Sequence, residues 1–135
     1  MQPPKAILET VLYATDLDAA ERFYRDVVGL EVVKTFKNQF VFLRCGEQML
    51  LIFNPETSRV AEGGNPIPRH GTTGSGHVCF RAEDKAEVDA WRDHFVAKGV
   101  EIDLYFRWDN GTYSVYVRDP AGNSVEIAEV GLWAS

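Results

Sequence analysis

Cysteine is scarce in this chain: Cys45 and Cys79 are the only two, far apart and in no CxxC pair. That excludes a disulfide framework and a cysteine-rich zinc site. Both thiols are expected to be reduced core residues of a cytoplasmic protein. Long apolar runs are missing too. No stretch approaches the roughly 18 residues of a membrane span, and the opening MQPPKAILET lacks the apolar segment of a signal peptide. Positive charge is in deficit, with 14 Lys and Arg against 20 Asp and Glu and a formal net charge of −6. A general nucleic-acid or anionic-membrane surface needs a basic face, so neither partner is expected.

What is present describes an ordinary globular domain. The 135 residues are 45% hydrophobic and 25% charged, enough to bury a core without cross-links. Residues 7–14 (ILETVLYA) read as a strand and 16–28 as a helix. In that helix Asp18 and Glu21 have the spacing of a capping box. Leu17, Ala20, Phe23, Tyr24 and Val27 form its apolar stripe, and Gly29 ends it. Strands follow over 31–36, 39–44 and 48–53, separated by Lys37-Asn38 and Cys45-Gly46-Glu47. Residues 54–76 are rich in proline and glycine and read as a crossover, a length uncommon inside compact domains.

The pattern then starts again. His77 to Glu83 is a strand, and 84–98 a helix whose Asp84 and Glu87 again have capping-box spacing. Gly99 closes that helix. Strands over 101–108 and 112–118 flank the hairpin signal Asn110-Gly111, and the turn DPAGN leads into a last strand over 124–130. A shift of 68 residues lays ETVLYATDLDAAERF on HVCFRAEDKAEVDAW, with Asp16 on Asp84 and Phe23 on Trp91. A two-residue gap sets Gly29 on Gly99, after which VFLR falls on VYVR. A further two-residue gap sets GEQMLLIF on GNSVEIAE. The expected fold is therefore α+β, two tandem βαβββ modules over about 6–54 and 77–130 joined by the 54–76 crossover.

The repeat also nominates a site. It places Glu9 on His77 and Leu50 on Glu126, so three of four equivalent strand positions hold ionisable groups among apolar neighbours. Equivalent positions of a duplicated unit can surround one axis. Two carboxylates close together repel, and a buried one is costly unless paired or bound to metal. A divalent cation removes that conflict. Carboxylate with imidazole suits Zn²⁺, Ni²⁺, Mn²⁺, Fe²⁺ or Co²⁺, and three protein ligands leave positions open, as at a catalytic site. Glu9, His77 and Glu126 are the expected ligands.

In DLDAAERFYRDVVGL, in VYVRDPAGNSVEI with its final glutamate, and in most of the chain between them, the sequence resembles the vicinal oxygen chelate superfamily. That group includes glyoxalase I, fosfomycin resistance thiol transferases, methylmalonyl-CoA epimerase, extradiol dioxygenases and bleomycin resistance proteins. The resemblance implies paired modules forming a U-shaped, mostly antiparallel sheet around a divalent metal, and a homodimer. His77 matches its mid-chain histidine and Glu126 its C-terminal glutamate. Glu9 stands where the family more often has histidine. Leu50 stands where glyoxalase I and the epimerase have a fourth ligand, which argues against glyoxalase I activity. The extradiol enzymes use two histidines; only His77 matches, and His70 is the candidate for the other.

The expected function is metal-dependent chemistry on a small organic molecule, as isomerase, lyase, thiol transferase or dioxygenase. Glu9 or Glu126 would alternate between ligand and proton acceptor, and His70, Arg107, Trp108 and Tyr116 would bind substrate. The rival is a metal-free drug-binding protein of the bleomycin-resistance type, using Phe106, Trp108 and Tyr116. His94 is expected on a solvated helix face.

Overall fold

A computed structural model describes residues 1–60 and 64–134; residues 61–63 of the crossover, and Ser135, lie outside the described residues. The chain divides into two compact units, Met1–Gly74 and Ser75–Ser135. Each holds a four-stranded mixed sheet and one principal helix, an α+β arrangement.

In the first unit, β1 (Glu9–Tyr13) leads into α1 (Leu17–Arg22), which continues as a π-helical stretch over Phe23–Val28. Then come β2 (Glu31–Phe36), β3 (Phe40–Cys45), β4 (Gln48–Phe53) and the short α2 (Pro55–Ser58). The sheet order is β1-β4-β3-β2, with β1 parallel to β4 and the other pairs antiparallel. The second unit repeats this with β5 (His77–Ala82), α3 (Lys85–Ala97), β6 (Leu104–Arg107), β7 (Tyr113–Arg118) and β8 (Ser124–Glu129), in the order β5-β8-β7-β6. Joining parallel edges requires a crossover, and α1 and α3 provide it.

Strand alternation gives each sheet two unlike faces. In the first, Leu12, Val41, Leu43, Leu50 and Ile52 are buried, as are Ala20, Phe23 and Tyr24 of the helix. In the second, Val115, Val117, Val125 and Ile127 are buried with Val88 and Phe95 of α3. These helix-side faces are the cores. The opposite faces carry Glu9, Val11 and Tyr13 on β1, and His77, Cys79 and Arg81 on β5.

Local features depart from the expected pattern in four places. The N-cap of α1 is Asp16, whose side chain accepts from the Ala19 N–H, so Asp18 lies inside the first turn. The matching cap in α3 is Asp84, which accepts from the Glu87 N–H, while Glu87 reaches back to the Glu83 N–H. The repeat, which pairs Asp16 with Asp84, located the first cap better than residue spacing did. Second, Val28 is buried rather than Val27. The π-helical i→i+5 pattern moves the inward position from four residues after Phe23 to five. Third, neither cysteine is a core residue: Cys45 is half-buried and Cys79 exposed, and both are free. Fourth, His94 is half-buried, its ring edge-on to Trp91. Replacing Asp84 with Ala is expected to lower stability by about 1 kcal/mol, the usual worth of a cap, as chemical denaturation would measure.

The register also corrects the alignment of the two halves. Glu126 pairs with Cys79 and Tyr116. In the first unit, Val11 and Phe42, the counterparts of those two, both pair with Leu51. Leu51, not Leu50, is the counterpart of Glu126. The turn between the last two strands is one residue longer in the second unit, where the alignment assumed two. Since a one-residue slip turns every side chain to the other face, Leu50 belongs to the core.

Candidate functional site

The open face of the second sheet gathers polar groups that the core face excludes. β5 and β8 set His77 beside Ser124 and Cys79 beside Glu126, and β7 sets Tyr116 opposite Glu126. The segment before β5 is pinned by the DPAGN turn. Asp119 is buried and accepts from the backbone of Ala121 and Asn123 and from the Asn123 side chain. Asn123, also buried, accepts from the Gly76 N–H at 2.7 Å. Gly76 immediately precedes His77, so this turn also fixes where the imidazole starts.

His77 Nε2 lies 3.2 Å from Glu126 Oε1, with side-chain exposures of 47% and 7%. His77 Nδ1 lies 2.9 Å from Ser124 Oγ. The second carboxylate oxygen, Oε2, is buried without a hydrogen-bond partner. A neutral imidazole has one N–H and one lone pair. When the Ser124 hydroxyl donates to Nδ1, Nε2–H donates to Oε1; when Ser124 instead takes the N–H at Nδ1, Nε2 and Oε1 face each other as two lone pairs and call for a proton or a cation.

The environment of Glu126 reaches its neighbours. Although Cys79 as a residue is exposed, its thiol is partly desolvated against the sheet face; that desolvation, reinforced by the Glu126 carboxylate, pushes the thiol up to about 12, so Cys79 stays protonated at neutral pH. Burial, and then the adjoining Glu126 carboxylate, also raises the Tyr116 phenol well above its ordinary value. The His77 and Tyr116 rings stack at 6.2 Å.

Two of the three expected ligands, His77 and Glu126, thus come together. Glu9 is exposed at the start of β1, in the other unit. Among the described residues no group of three His, Cys, Asp or Glu side chains is assembled. Of the expected substrate-binding residues, Tyr116 adjoins Glu126. Trp108 donates from Nε1 to Ser114 Oγ at 2.8 Å, on the same face of its sheet. Arg107 pairs with Tyr113, which alternation puts on the helix side, away from His77 and Glu126. His70 belongs to the first unit, where its Nδ1 meets the Tyr13 hydroxyl at 2.7 Å. Sequence reasoning missed Ser124 and Cys79. The apolar-to-polar alternation of SVE beside HVC was the available signal, legible only once the parallel register of β5 and β8 is known.

A repeated βαβββ unit with helix-side cores and a histidine–glutamate pair on an open sheet face defines a class of two-module α+β proteins. A family model, the Glyoxalase/Bleomycin resistance protein/Dioxygenase superfamily, matches residues 6–127, and the chain belongs to that superfamily. It is 60% identical to a lactoylglutathione lyase from Agrobacterium tumefaciens whose crystal structure superposes with a TM-score of 0.97, covering 99% of this chain and 100% of that one. It is 28% identical over 123 residues to virulence protein STM3117 of Salmonella typhimurium, covering 88% of this chain and 80% of that protein. It is 26% identical over 115 residues to a catechol-2,3-dioxygenase of Bacillus subtilis. That match covers 82% of this chain but 36% of the dioxygenase, so the chain spans only about a third of that relative. Among the described residues no helix is long and apolar enough to cross a membrane.

Proposed function

We propose that the protein is a divalent-metal-dependent enzyme acting on a small organic molecule, with His77 and Glu126 as ligands and Glu9 as the third. The observation that carries this reading is Glu126 Oε2, a buried carboxylate oxygen without a hydrogen-bond partner, next to an imidazole nitrogen. Such an oxygen is costly in an apolar sheet, and the donor set of carboxylate and imidazole fits Zn²⁺, Ni²⁺, Mn²⁺, Fe²⁺ or Co²⁺. When bound, such an ion supplies Lewis acidity toward substrate oxygens. Ser124 Oγ orients the His77 ring by holding Nδ1, as outer-shell partners of ligating histidines do. Glu126 and Glu9 are the carboxylates able to accept a substrate proton. Tyr116 and Trp108 present aromatic surface toward the substrate.

Lactoylglutathione is the first substrate to test, because the 60% identical relative is a lactoylglutathione lyase. After loading with each metal in turn, elemental analysis should find one ion per chain, and any turnover of lactoylglutathione should disappear with chelator and return with metal. Absence of stoichiometric metal after every loading would overturn the reading. The drug-binding alternative predicts ligand affinity unchanged by chelator.

A homodimer belongs to the same proposal. Leu104 and Phe106 of the edge strand β6 are exposed, and an apolar edge strand needs cover. Light scattering at micromolar concentration should give twice the 15.2 kDa chain mass.

A further inference from the structure

The open face of the first sheet is aromatic where the second is polar. Phe40 and Phe42 stack with centroids 4.0 Å apart and planes 14° from parallel. Phe53 meets Phe42 at 5.5 Å, and the His70 ring stands edge-on to Phe53 at 4.6 Å. Between these rings and the 65–70 segment lies a cavity of about 220 Å³. All of its lining belongs to the first unit, and neither His77 nor Glu126 contributes to it.

The segment that closes the cavity is held in place. Ser58 Oγ donates to the His70 carbonyl at 2.6 Å, and the His70 N–H returns to the Ser58 carbonyl. Gly71 allows this approach: a Cβ there would lie 3.0 Å from Arg59 Cβ and 3.1 Å from the Pro55 carbonyl. Tyr13 fixes the imidazole through Nδ1.

The polar groups on the wall divide into used and unused. The Thr57 and Ser58 hydroxyls both donate to backbone carbonyls. Arg69 donates to the Ile67 and Val60 carbonyls, with no carboxylate in ion-pair distance among the described residues. No described carboxylate balances its charge beside the cavity. His70 Nε2 is also without a hydrogen-bond partner among the described residues. Aromatic walls select a flat ring, and a guanidinium that no described carboxylate neutralises selects an anion. The volume sets the size: a cavity of about 150 Å³ already accepts benzene, and drug-sized ligands need roughly 300 Å³ or more.

We propose that this cavity binds a monocyclic aromatic carboxylate, its ring against Phe40, Phe42 and Phe53 and its carboxylate at Arg69 and His70. This goes beyond the metal-site reading and does not depend on it. The test uses the full chain in chelator, with benzoate as probe, cyclohexanecarboxylate as the same charge on a non-planar ring, and benzamide as the same ring without charge. Calorimetry and amide chemical shifts are followed together. Benzoate should bind saturably, with shifts confined to β3, β4 and the 65–70 segment, and both analogues should bind about tenfold more weakly or worse. Arg69→Gln should bring benzoate down to the level of benzamide. Because Arg69 also braces its own segment, Phe42→Leu provides an independent check: it should weaken benzoate while leaving cyclohexanecarboxylate unchanged, at an unaltered circular dichroism spectrum. No saturable benzoate binding, shifts centred on His77 and Glu126, or equal affinity for the non-planar acid would each overturn the proposal.

Discussion

Replacing Glu126 with Leu should abolish divalent-metal uptake and at the same time make the metal-free protein more stable. The two effects have one cause. Glu126 has a 7% exposed side chain with one oxygen unsatisfied, on a strand whose neighbours Val125 and Ile127 are core residues. An unpaired buried polar atom costs about 1–3 kcal/mol, and an apolar residue of similar shape removes that cost. Metal-free Glu126→Leu should therefore melt higher than metal-free wild type. His77→Ala should also abolish uptake, with little change in stability because the ring is half exposed. The wild type should gain stability from metal by mass action, about 2.7 kcal/mol at a metal concentration of a hundred times Kd. Melting curves of the three proteins, with chelator and with saturating Ni²⁺, check this. A Glu126→Leu protein still stabilised by Ni²⁺, or less stable than wild type in chelator, would remove the argument for the site.

Leu50→Glu and Leu51→Glu should differ in cost, although they are adjacent and both buried. Leu50 is 2% exposed on the helix side of its sheet. A carboxylate there has no partner and should cost several kcal/mol, with no recovery on adding metal. Leu51 occupies the position equivalent to Glu126 on the open face, between Val11 and Phe42. A carboxylate at that position faces the open side of the sheet and should be tolerated better than one at position 50. Thermal melting of both variants with and without Ni²⁺ decides the matter. Destabilisation of Leu50→Glu that metal reverses would restore the alignment of Leu50 with Glu126.

The duplication, the order of elements, both helix-ending glycines and the pairing of Asp16 with Asp84 were legible in the residues, because each depends on contacts a few positions apart. Caps, αL glycines and hydrophobic periodicity are local physics, and the repeat tested each reading twice. His77 and Glu126 were legible for a related reason: an ionisable residue in an apolar strand stands out whatever it touches.

The tertiary structure decided what depends on register. Whether Leu50 or Leu51 corresponds to Glu126 turns on a single residue in a hairpin turn, and apolar residues at 49–52 give periodicity nothing to choose between. Cys79 looked like a core residue because VCF is apolar. The parallel pairing with β8 puts it beside Glu126 on the open face instead, where partial desolvation and a carboxylate keep its thiol protonated. Arg107 went to the helix side for the same reason, since alternation counts from the paired residue and not from the sequence. The crossover read only as a long connection. Its contribution, a clamped His70 closing an aromatic cavity, depends on Ser58, Gly71 and Tyr13, whose distance along the chain from the phenylalanines hides their proximity. Side-chain type and local spacing are written in the chain itself; which face a strand residue occupies is settled only when a neighbouring strand forms hydrogen bonds with it.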